Sequence, residues 1–274
     1  MNNIHDYYSP NDLYNKIIDA LNKLGKDLAK VTPDELQPVD EFHIRGDTAT
    51  KELIKLSGFA PNMHILDVGC GIGGSTRRLS HQTGCRVTGI DLSEEYIDTA
   101  ERLTRLLNMQ ERVEFRATSA LSLPFDDDFF DGAWSLQMNM NVEDKLSWLK
   151  ETHRVLKPGA HAVLYEVCGN KNSPLYFPVP WAQDSSMSFL VPPEPFRDVI
   201  ISAGFDIAVW NDKTDLAQQA FANVAEPVGE PVLPILGVHL LVGNDIKTKA
   251  YNLHRNLDEE RVSLIEVVAV KPNG

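Results

Sequence analysis

The sequence predicts an α/β fold in which a mostly parallel sheet carries helices on both faces. Strand-like and helix-like segments alternate regularly from residue 63 to residue 167, as is typical of parallel strands joined by crossover helices. The first strand, residues 63–68, runs directly into a glycine-rich turn at residues 69–74. Such a turn lets the backbone approach a nucleotide closely. The 274 residues suffice for one domain of this type and a cap.

Residues 1–60 precede the alternating region and are predicted to form a helical cap over it. Apolar residues recur at helical spacing over residues 11–30, at Leu13, Ile17, Leu21, Leu24 and Leu28. A second, short helix is expected to begin at Pro33, with Thr32 as its N-cap. A third predicted helix, over residues 48–56, leads to the first strand.

The core elements are predicted in alternating order. Strand 63–68 precedes helix 74–82, and strand 85–90 precedes a helix that ends near Leu107 and has Ser93 as its N-cap. The remaining core elements are strands 112–117 and 130–136, helix 143–155 and strand 160–167. Lys157-Pro158-Gly159 is a helix-stop signal and predicts a break before the last of these strands.

Residues 168–257 interrupt the alternation and are predicted to be an inserted cap within a domain that spans residues 61–274. Six prolines and several aromatic residues lie within residues 168–196, and long loops of this composition are usually functional. Helix 194–203, strand 205–210 and helices over residues 213–257 are also expected in this segment. A final strand over residues 261–270 completes the chain.

Composition and charge narrow the possible functions. The net charge of −13 argues against sequence-independent nucleic-acid binding, which requires phosphate neutralisation. The chain has neither an apolar run long enough to span a bilayer nor a secretory signal at residues 1–10. Cys70, Cys85 and Cys168 lack metal-ligand spacing and are expected to be free thiols. We therefore expect a cytoplasmic protein with no metal, membrane or nucleic-acid partner.

The glycine pattern predicts an adenosine-containing ligand. Gly69, Gly71 and Gly73 form a Gly-x-Gly-x-Gly turn, and Gly74 completes the dinucleotide fingerprint Gly-x-Gly-x-x-Gly. Asp91 follows the second strand, where a carboxylate can accept hydrogen bonds from both ribose hydroxyls. These features fit a nicotinamide dinucleotide and other adenosine ligands equally well.

Asp67 distinguishes between these ligands. It lies at the end of the first strand, two residues before Gly69. A carboxylate there repels a pyrophosphate but attracts an ammonium group. S-adenosylmethionine carries an ammonium and a sulfonium and has no phosphate. Asp67 therefore favours S-adenosylmethionine as the ligand. It disfavours the alternative function, that of an NAD-dependent oxidoreductase. The alternative role for Asp67 itself is to brace the loop.

Residues 65–74 (ILDVGCGIGG) resemble the first motif of class I S-adenosylmethionine-dependent methyltransferases. Segments 123–125, 130–135 and 154–159 match later motifs of that family in order and spacing. Segments 42–46, 140–145, 178–182 and 236–270 resemble the sarcosine/dimethylglycine N-methyltransferase-like group. The resemblance implies the Rossmann-like fold of class I methyltransferases, with an antiparallel last strand, and S-adenosylmethionine as cofactor.

The resemblance also implies residues that bind the cofactor. Ser119 and Ala120 should hold the adenine, Gln137 should lie near the methionine moiety, and Arg45 could pair with a carboxylate of the cofactor or the substrate. The other implied cofactor residues are Asp67, Gly69, Cys70, Gly71, Gly73, Asp91 and Leu92. The chain departs from the family at two positions: Ser119 stands where an acid is usual, and Gln137 stands where histidine is common in the narrower group.

The acceptor side of the site carries two predicted catalytic residues and an aromatic wall. His43 is the first candidate for a base, with a buried structural role as its alternative, and Glu166 could hold an ammonium group or cap a loop. Tyr7, Tyr8 and Trp181 could wall the acceptor or simply pack as a lid. Lys145 and Lys150 are expected to be solvated.

The resemblance favours an amine acceptor, such as a glycine-derived N-methyl amino acid. O- or C-methylation of a natural product or a quinone-like ring is the alternative. A protein that binds the cofactor without catalysis is a third possibility, because of Ser119 and Gln137. A monomer or a homodimer is expected.

Overall fold

The computed structural model shows a sheet of seven strands in the order β3-β2-β1-β4-β5-β7-β6. It describes residue 8 and residues 11–170, 174–229 and 232–273. The strands are β1 (His64–Val68), β2 (Arg86–Asp91), β3 (Val113–Ala117), β4 (Phe130–Leu136), β5 (Leu156–Gly169), β6 (Asp206–Asp212) and β7 (Val262–Val270).

The sheet has a parallel part and an antiparallel edge. Strands β1 to β5 pair in parallel, whereas β7 is antiparallel to both of its neighbours, β5 and β6. The predicted fold, a mostly parallel sheet with an antiparallel last strand, is confirmed. Because the strands are parallel, the carboxyl ends of β1, β2, β3 and β4 meet at one edge, where ligands bind in such sheets.

Ten α-helices accompany the sheet in the described part of the chain. They are α1 (Leu13–Lys23), α2 (Pro33–Asp40), α3 (Gly46–Ser57), α4 (Gly74–Thr83), α5 (Glu94–Leu106), α6 (Lys145–Val155), α7 (Pro193–Ser202), α8 (Thr214–Phe221), α9 (His239–Val242) and α10 (Ile246–Asp258). None of these described helices combines the length and apolarity needed to cross a membrane.

Two predicted helix starts have the expected caps. The Ser93 hydroxyl accepts a hydrogen bond from the backbone N–H of Tyr96 at 3.2 Å. At the start of α2, the Glu35 carboxylate accepts from the backbone N–H of Thr32 at 2.9 Å, which is one half of a capping box. These local bonds satisfy N–H groups that a helix leaves without a partner.

Apolar side chains cover both faces of the sheet. One face packs against α3, α4, α8 and α10 around Trp134, and the other packs against α6 and α7 around Trp148. Helix α1 packs separately, against α5 and α9. The N-terminal segment is also held by ion pairs, since Arg77 and Arg78 of α4 contact Asp40 and Glu41 at 2.7 and 2.9 Å.

Three predicted boundaries were wrong. The first helix ends at Lys23, because Gly25 adopts a positive φ of 70°, and only a short 3₁₀ turn follows at Leu28–Lys30. Strand β5 begins at Leu156, immediately after α6 ends at Val155, so residues 157–159 belong to the strand and no break precedes it. The predicted insert 168–257 is not one unit, since β6 is an edge strand of the sheet and α7 packs on its face.

Candidate active site

A cavity of about 780 Å³ lies at the carboxyl ends of the parallel strands. Its walls come from the ends of β1 to β4, the segment that joins α2 to α3, and helices α8 to α10. Most of the predicted site residues line it, namely Tyr8, His43, Gly69, Cys70, Gly71, Asp91, Leu92, Ser119, Ala120, Gln137 and Trp181. The structure therefore brings these residues together at one cavity, and their individual roles stay predictions.

The glycine turn forms the floor of this cavity. The backbone N–H groups of Gly69 and Cys70 both donate to the Ile90 carbonyl at 2.9 Å, which closes the turn against β2. Gly69 has φ = 78°, and a Cβ atom there would lie 2.7 Å from the Met138 sulfur. Gly73 is not a lining residue, and a Cβ there would meet Phe115 at 2.4 Å. Gly73 therefore serves packing, and its prediction as a cofactor contact is not supported.

Asp91 bridges the glycine turn and the start of α5. Its Oδ2 accepts from the backbone N–H of Gly71 at 3.0 Å, and its Oδ1 accepts from that of Ser93 at 2.9 Å. An ionised carboxylate has about four acceptor positions, so further hydrogen bonds to a ligand are available. Burial raises the pKa of Asp91, and the backbone hydrogen bonds oppose this rise. The side chain is therefore placed and equipped to hold a ribose diol.

The residues after β3 form a shallow part of the cavity wall. Ser119, Ala120 and Leu121 line the cavity there, and the exposed side chain of Leu92 lines it as well. The Ser119 hydroxyl accepts from the backbone N–H of Leu121 at 3.2 Å. This segment presents one neutral side-chain acceptor, whereas an acid at the same position would offer a charged one.

We expect Ser119→Asp to tighten binding of S-adenosylhomocysteine about tenfold. A carboxylate can keep the contact to Leu121 and also accept a charge-assisted hydrogen bond from the adenine amino group. Calorimetric titration of both proteins measures the difference, with Ser122→Asp as a control nearby on the same exposed loop. Equal or weaker binding by the Ser119 variant would show that adenine does not lie at this position.

Gln137 joins the N-terminal segment to the end of β4. Its Oε1 accepts from the backbone N–H of Ile44 at 3.2 Å, whereas its Nε2 is buried and has no partner among the described residues. The residue has φ = 54°, a conformation that is uncommon without glycine. A strained residue with an unsatisfied donor that lines a cavity is suited to bind a ligand acceptor.

Asp67 does not line the cavity. It is 1% exposed, and its Oδ2 accepts hydrogen bonds from the hydroxyls of Thr76 at 2.7 Å and Ser75 at 3.4 Å. Burial raises its pKa to about 7. The bracing role is the one that the contacts support, because the hydroxyls fix the carboxylate to the start of α4. Cys70 does line the cavity, and burial raises the pKa of its thiol.

Two predicted site residues face other partners. Arg45 forms two 2.8 Å hydrogen bonds with the Glu52 carboxylate and is not a lining residue. Glu166 is completely buried, and it accepts from the backbone N–H groups of Met138 and Asn139 at 2.9 Å and from the Ser135 hydroxyl at 3.0 Å. Neither side chain lines the cavity, so the contacts do not support a cofactor contact for Arg45 or a catalytic role for Glu166, and they match loop capping, the alternative given for Glu166. Glu166 instead holds the segment after β4, which lines the cavity.

His43 lines the cavity with a largely buried ring. Its Nε2 lies 3.1 Å from the Gly46 carbonyl and 3.0 Å from the Thr50 hydroxyl. Burial lowers the pKa of the imidazole to about 4, so the ring is neutral at pH 7. A neutral imidazole on a cavity wall can accept a proton or a hydrogen bond through its unprotonated nitrogen.

The aromatic wall is arranged around Asn141, which the sequence analysis did not single out. The Tyr8 hydroxyl donates to Asn141 Oδ1 at 3.1 Å, and Asn141 Nδ2 donates to the Trp181 carbonyl at 3.0 Å. The Trp181 indole donates to the Ser188 hydroxyl at 3.0 Å. Tyr7 lies outside the described residues. Asn141 belongs to the segment 140–145 that carries the narrower resemblance, which was the only signal for it.

Lys145 is buried, contrary to the prediction of a solvated side chain. Its ammonium donates to the carbonyls of Val142 and Phe189, both at 2.6 Å. Burial lowers its pKa to about 8, and the nearby Glu166 opposes this shift. Lys145 thus connects the segment after β4 to the loop that precedes α7. Helical periodicity could not reveal this, because one of the two acceptors, the Phe189 carbonyl, is distant in sequence.

The described lining of the cavity contains no arginine or lysine. Its acidic members are Asp40, Glu41, Asp91, Glu143 and Asp144, and apolar side chains supply most of the rest. The far wall is especially apolar, with Pro180, Phe221, Val238, Leu241, Ile246, Ala250 and Leu253. Over the described ranges, no group of three or more His, Cys, Asp or Glu side chains is arranged to hold a metal ion.

Comparison with known proteins finds similarity to methyltransferases. A family model described as a methyltransferase domain matches residues 66–164. The O-methyltransferase resE of Aspergillus sclerotiorum is 28% identical over 208 residues, which are 72% of this chain and 77% of that protein. Cycloartenol-C-24-methyltransferase 1 of Oryza sativa subsp. japonica is 34% identical over 111 residues, 40% of this chain but only 32% of its own length.

Solved structures share the fold. Phosphoethanolamine N-methyltransferase 2 of Haemonchus contortus, solved with S-adenosylhomocysteine, has a TM-score of 0.73 at 17% identity, covering 99% of this chain and 61% of that one. A putative sarcosine dimethylglycine methyltransferase of Galdieria sulphuraria has a TM-score of 0.65 at 15% identity, with coverage of 83% and 85%. By their names, these relatives methylate different atoms, so the acceptor must be argued from the cavity itself.

Proposed function

Because this chain is an S-adenosylmethionine-dependent methyltransferase, we propose that its acceptor is an uncharged, largely apolar small molecule with a phenol or enol hydroxyl. The proposal rests on one observation. The described residues around the cavity supply no guanidinium or ammonium group, and the far wall is apolar.

The near half of the cavity fits the cofactor. Asp91 can accept from ribose hydroxyls, and the unpartnered Nε2 of Gln137 can donate to a carboxylate oxygen of the cofactor's methionine end. The Gly69 backbone, which lacks a Cβ, allows close approach. The cofactor supplies an electrophilic methyl group on a sulfonium, and the chain must hold an acceptor oxygen in line with it.

The far half of the cavity favours an apolar acceptor. Phe221, Ile246, Ala250 and Leu253 present only hydrocarbon side chains, and they come from α8 and α10. Burying apolar surface contributes roughly 25 cal/mol per Å². A charged acceptor gains nothing from such a wall and loses its hydration. An aromatic or polycyclic skeleton therefore fits this half better than a small zwitterion.

Charge also argues against anionic acceptors. The carboxylate of a glycine-derived amino acid, or the phosphate of a phosphoethanolamine, would enter a cavity whose described ionisable lining is mainly acidic. Buried anions require paired cations or several hydrogen-bond donors. The glycine-derived amino acid favoured by the family resemblance is therefore not the acceptor that the cavity supports.

His43 can assist an oxygen acceptor. A neutral phenol is a weak nucleophile, and removal of its proton during methyl transfer accelerates the reaction. The neutral ring of His43 lines the cavity and is suited to take that proton. An amine acceptor that enters unprotonated would not need this group. The resE relative, which carries an O-methyltransferase name, is consistent with this assignment.

Transfer of labelled methyl groups tests the proposal. Three probes separate the acceptor classes: 2-naphthol as an uncharged phenol, N-methyl-2-naphthylamine as an amine of similar shape, and sarcosine as an amino acid. We expect labelled product from 2-naphthol with a rate at least tenfold above the other two. Turnover that is faster with sarcosine, or with the naphthylamine, would contradict an uncharged hydroxyl acceptor.

A further inference from the structure

The ring of His43, in the segment that joins α2 to α3, is held by one neighbour from that segment, Glu41, and two from α3, Gly46 and Thr50. Its Nε2 lies 3.0 Å from the Thr50 hydroxyl, 3.1 Å from the Gly46 carbonyl and 3.6 Å from Glu41 Oε2. The Thr50 hydroxyl also lies 2.6 Å from Glu41 Oε2. Thr50 is completely buried, and Glu41 is 8% exposed. No hydrogen bond engages Nδ1 among the described residues.

The position of each proton in this cluster follows from its partners. A carbonyl oxygen can only accept, so the contact to Gly46 requires a hydrogen on Nε2. The single hydroxyl proton of Thr50 is directed to the Glu41 carboxylate at 2.6 Å, so Thr50 also accepts from Nε2. Burial raises the pKa of Glu41, and the hydrogen bond from Thr50 and the guanidinium of Arg78, 2.9 Å from Glu41 Oε1, oppose this rise and favour the ionised carboxylate. Every partner of Nε2 is therefore an acceptor.

We propose that Thr50 and Glu41 are positioning residues that fix the Nε2–H tautomer of His43, so that Nδ1 is the base for the acceptor hydroxyl. The base itself rests on the O-methylation proposed above, whereas the tautomer does not. When the ring gains a proton at Nδ1, the hydrogen bond from Nε2–H through Thr50 leads to the negative charge of Glu41. Hydrogen bonds to a charged group are stronger than those to a neutral one. This chain of hydrogen bonds from His43 through Thr50 to Glu41, called the relay below, therefore stabilises the imidazolium more than the neutral ring.

The reaction step balances without any further reactant. The oxygen of the acceptor forms its bond to the methyl carbon while the carbon–sulfur bond breaks, and the electron pair of that bond stays on sulfur. The hydroxyl proton passes to Nδ1 of His43, which becomes an imidazolium. The proton on Nε2 stays in place throughout, and the imidazolium returns its extra proton to solvent after product release.

The charged and titratable groups that face His43 come from several elements. Glu41 and Asp47 lie on either side of the His43 segment, and Tyr165 of β5 meets the ring edge to face at 6.4 Å. Burial lowers the pKa of His43, and Asp47 together with the Gly46 carbonyl opposes this. Loss of the Thr50 acceptor should lower the pKa of His43 further, since the imidazolium would lose one of its partners.

Nitrogen-15 NMR of histidine-labelled protein saturated with S-adenosylhomocysteine tests the tautomer without any acceptor. Protonated and unprotonated ring nitrogens have well-separated shifts, and loss of one signal pair in His43→Gln assigns the residue. We expect His43 to show a protonated Nε2 and an unprotonated Nδ1 at pH 7. A protonated Nδ1 would overturn the proposal, even if 2-naphthol proved to be the acceptor.

A matched set of threonine variants tests the relay. Thr50→Val removes the hydroxyl at nearly the same volume, Thr50→Ser restores it, and Thr48→Val makes the same change at an exposed position of α3. With 2-naphthol we expect Thr50→Val to lower kcat about tenfold, with less than a twofold change in KM for S-adenosylmethionine. Thr50→Ser and Thr48→Val should remain within twofold of the unaltered protein.

The pKa of His43 provides the readout that a purely structural role would not move. In the NMR titration, Thr50→Val should shift the midpoint of His43 to lower pH, and Thr50→Ser should return it. Equal midpoints in all three Thr50 forms, or equal kcat in Thr50→Val and Thr50→Ser, would overturn the relay. Because the tautomer and the midpoint need no acceptor, failure of the proposed O-methylation would be recognised separately.

Discussion

Replacement of Asp91 by alanine is expected to weaken binding of S-adenosylhomocysteine about 100-fold. The carboxylate accepts from the backbone N–H groups of Gly71 and Ser93 and has capacity left for two ribose hydroxyls. A hydrogen bond to a charged group is worth about 1.5–3 kcal/mol, and two of them therefore account for a change of this size. Calorimetric titration measures the affinity directly.

Two further variants make the Asp91 result specific. Asp91→Asn keeps one acceptor oxygen and should lose only about tenfold in affinity. Asp126→Ala removes a carboxylate from an exposed loop and should leave the affinity unchanged. An Asp91→Ala protein that melts normally and binds S-adenosylhomocysteine as tightly as the original would show that the ribose lies elsewhere.

The stability of the protein is expected to fall as the pH rises from 6.5 to 8. The range begins at 6.5 because burial lowers the pKa of His43 from that value to about 4, so at lower pH its protonation in the unfolded state has the opposite effect on stability. Burial raises the pKa of Glu166 to about 8 from an ordinary 4.5, and that of Asp67 to about 7 from 3.8. In this range the folded state therefore binds more protons than the unfolded state, so the free energy of unfolding decreases with pH. Each group contributes at most about 1.4 kcal/mol per pH unit. The stabilisation from each carboxyl group is fully present below its ordinary pKa in the unfolded state. It is lost as the pH rises through the raised pKa of the folded state.

Urea denaturation across this pH range measures the effect. Glu166→Gln should reduce the slope by more than half, because Glu166 titrates across the whole range and glutamine keeps an acceptor for the backbone N–H groups of Met138 and Asn139 but does not titrate. Glu111→Gln, on an exposed loop, should leave the slope unchanged. The range stops at pH 8 because Lys145 loses its proton above that value. A Glu166→Gln protein with the original slope would contradict the assignment.

The sequence predicted the part of the site that depends on local structure. The glycine turn, Asp91 and the residues after β3 and β4 all follow parallel strands, and parallel strands end at one edge of the sheet. Their convergence at the cavity therefore follows from the alternation of elements alone. His43 and Trp181 were also placed at the cavity, on the strength of the narrower resemblance rather than of periodicity.

The remaining errors concern long-range partners. Arg45 was expected at the cofactor, but Glu52, about two helical turns further along the chain, engages its guanidinium. Glu166 ends near the correct edge of the sheet, but it is directed at backbone donors of the neighbouring segment rather than into the cavity. Neither pairing can be predicted from the hydrophobic pattern, because a charged residue contributes equally to that pattern whether its side chain is solvated or bound to a distant partner.

A crystal structure with bound S-adenosylhomocysteine tests the central claim most directly. The account predicts that both ribose hydroxyls contact Asp91, that adenine lies against Leu92 and Ala120, and that the sulfur faces a chamber walled by Phe221, Ala250 and Leu253. His43 should line that chamber as well. A ribose away from Asp91, or a sulfur that faces an arginine or lysine pair able to bind an anionic acceptor, would contradict it.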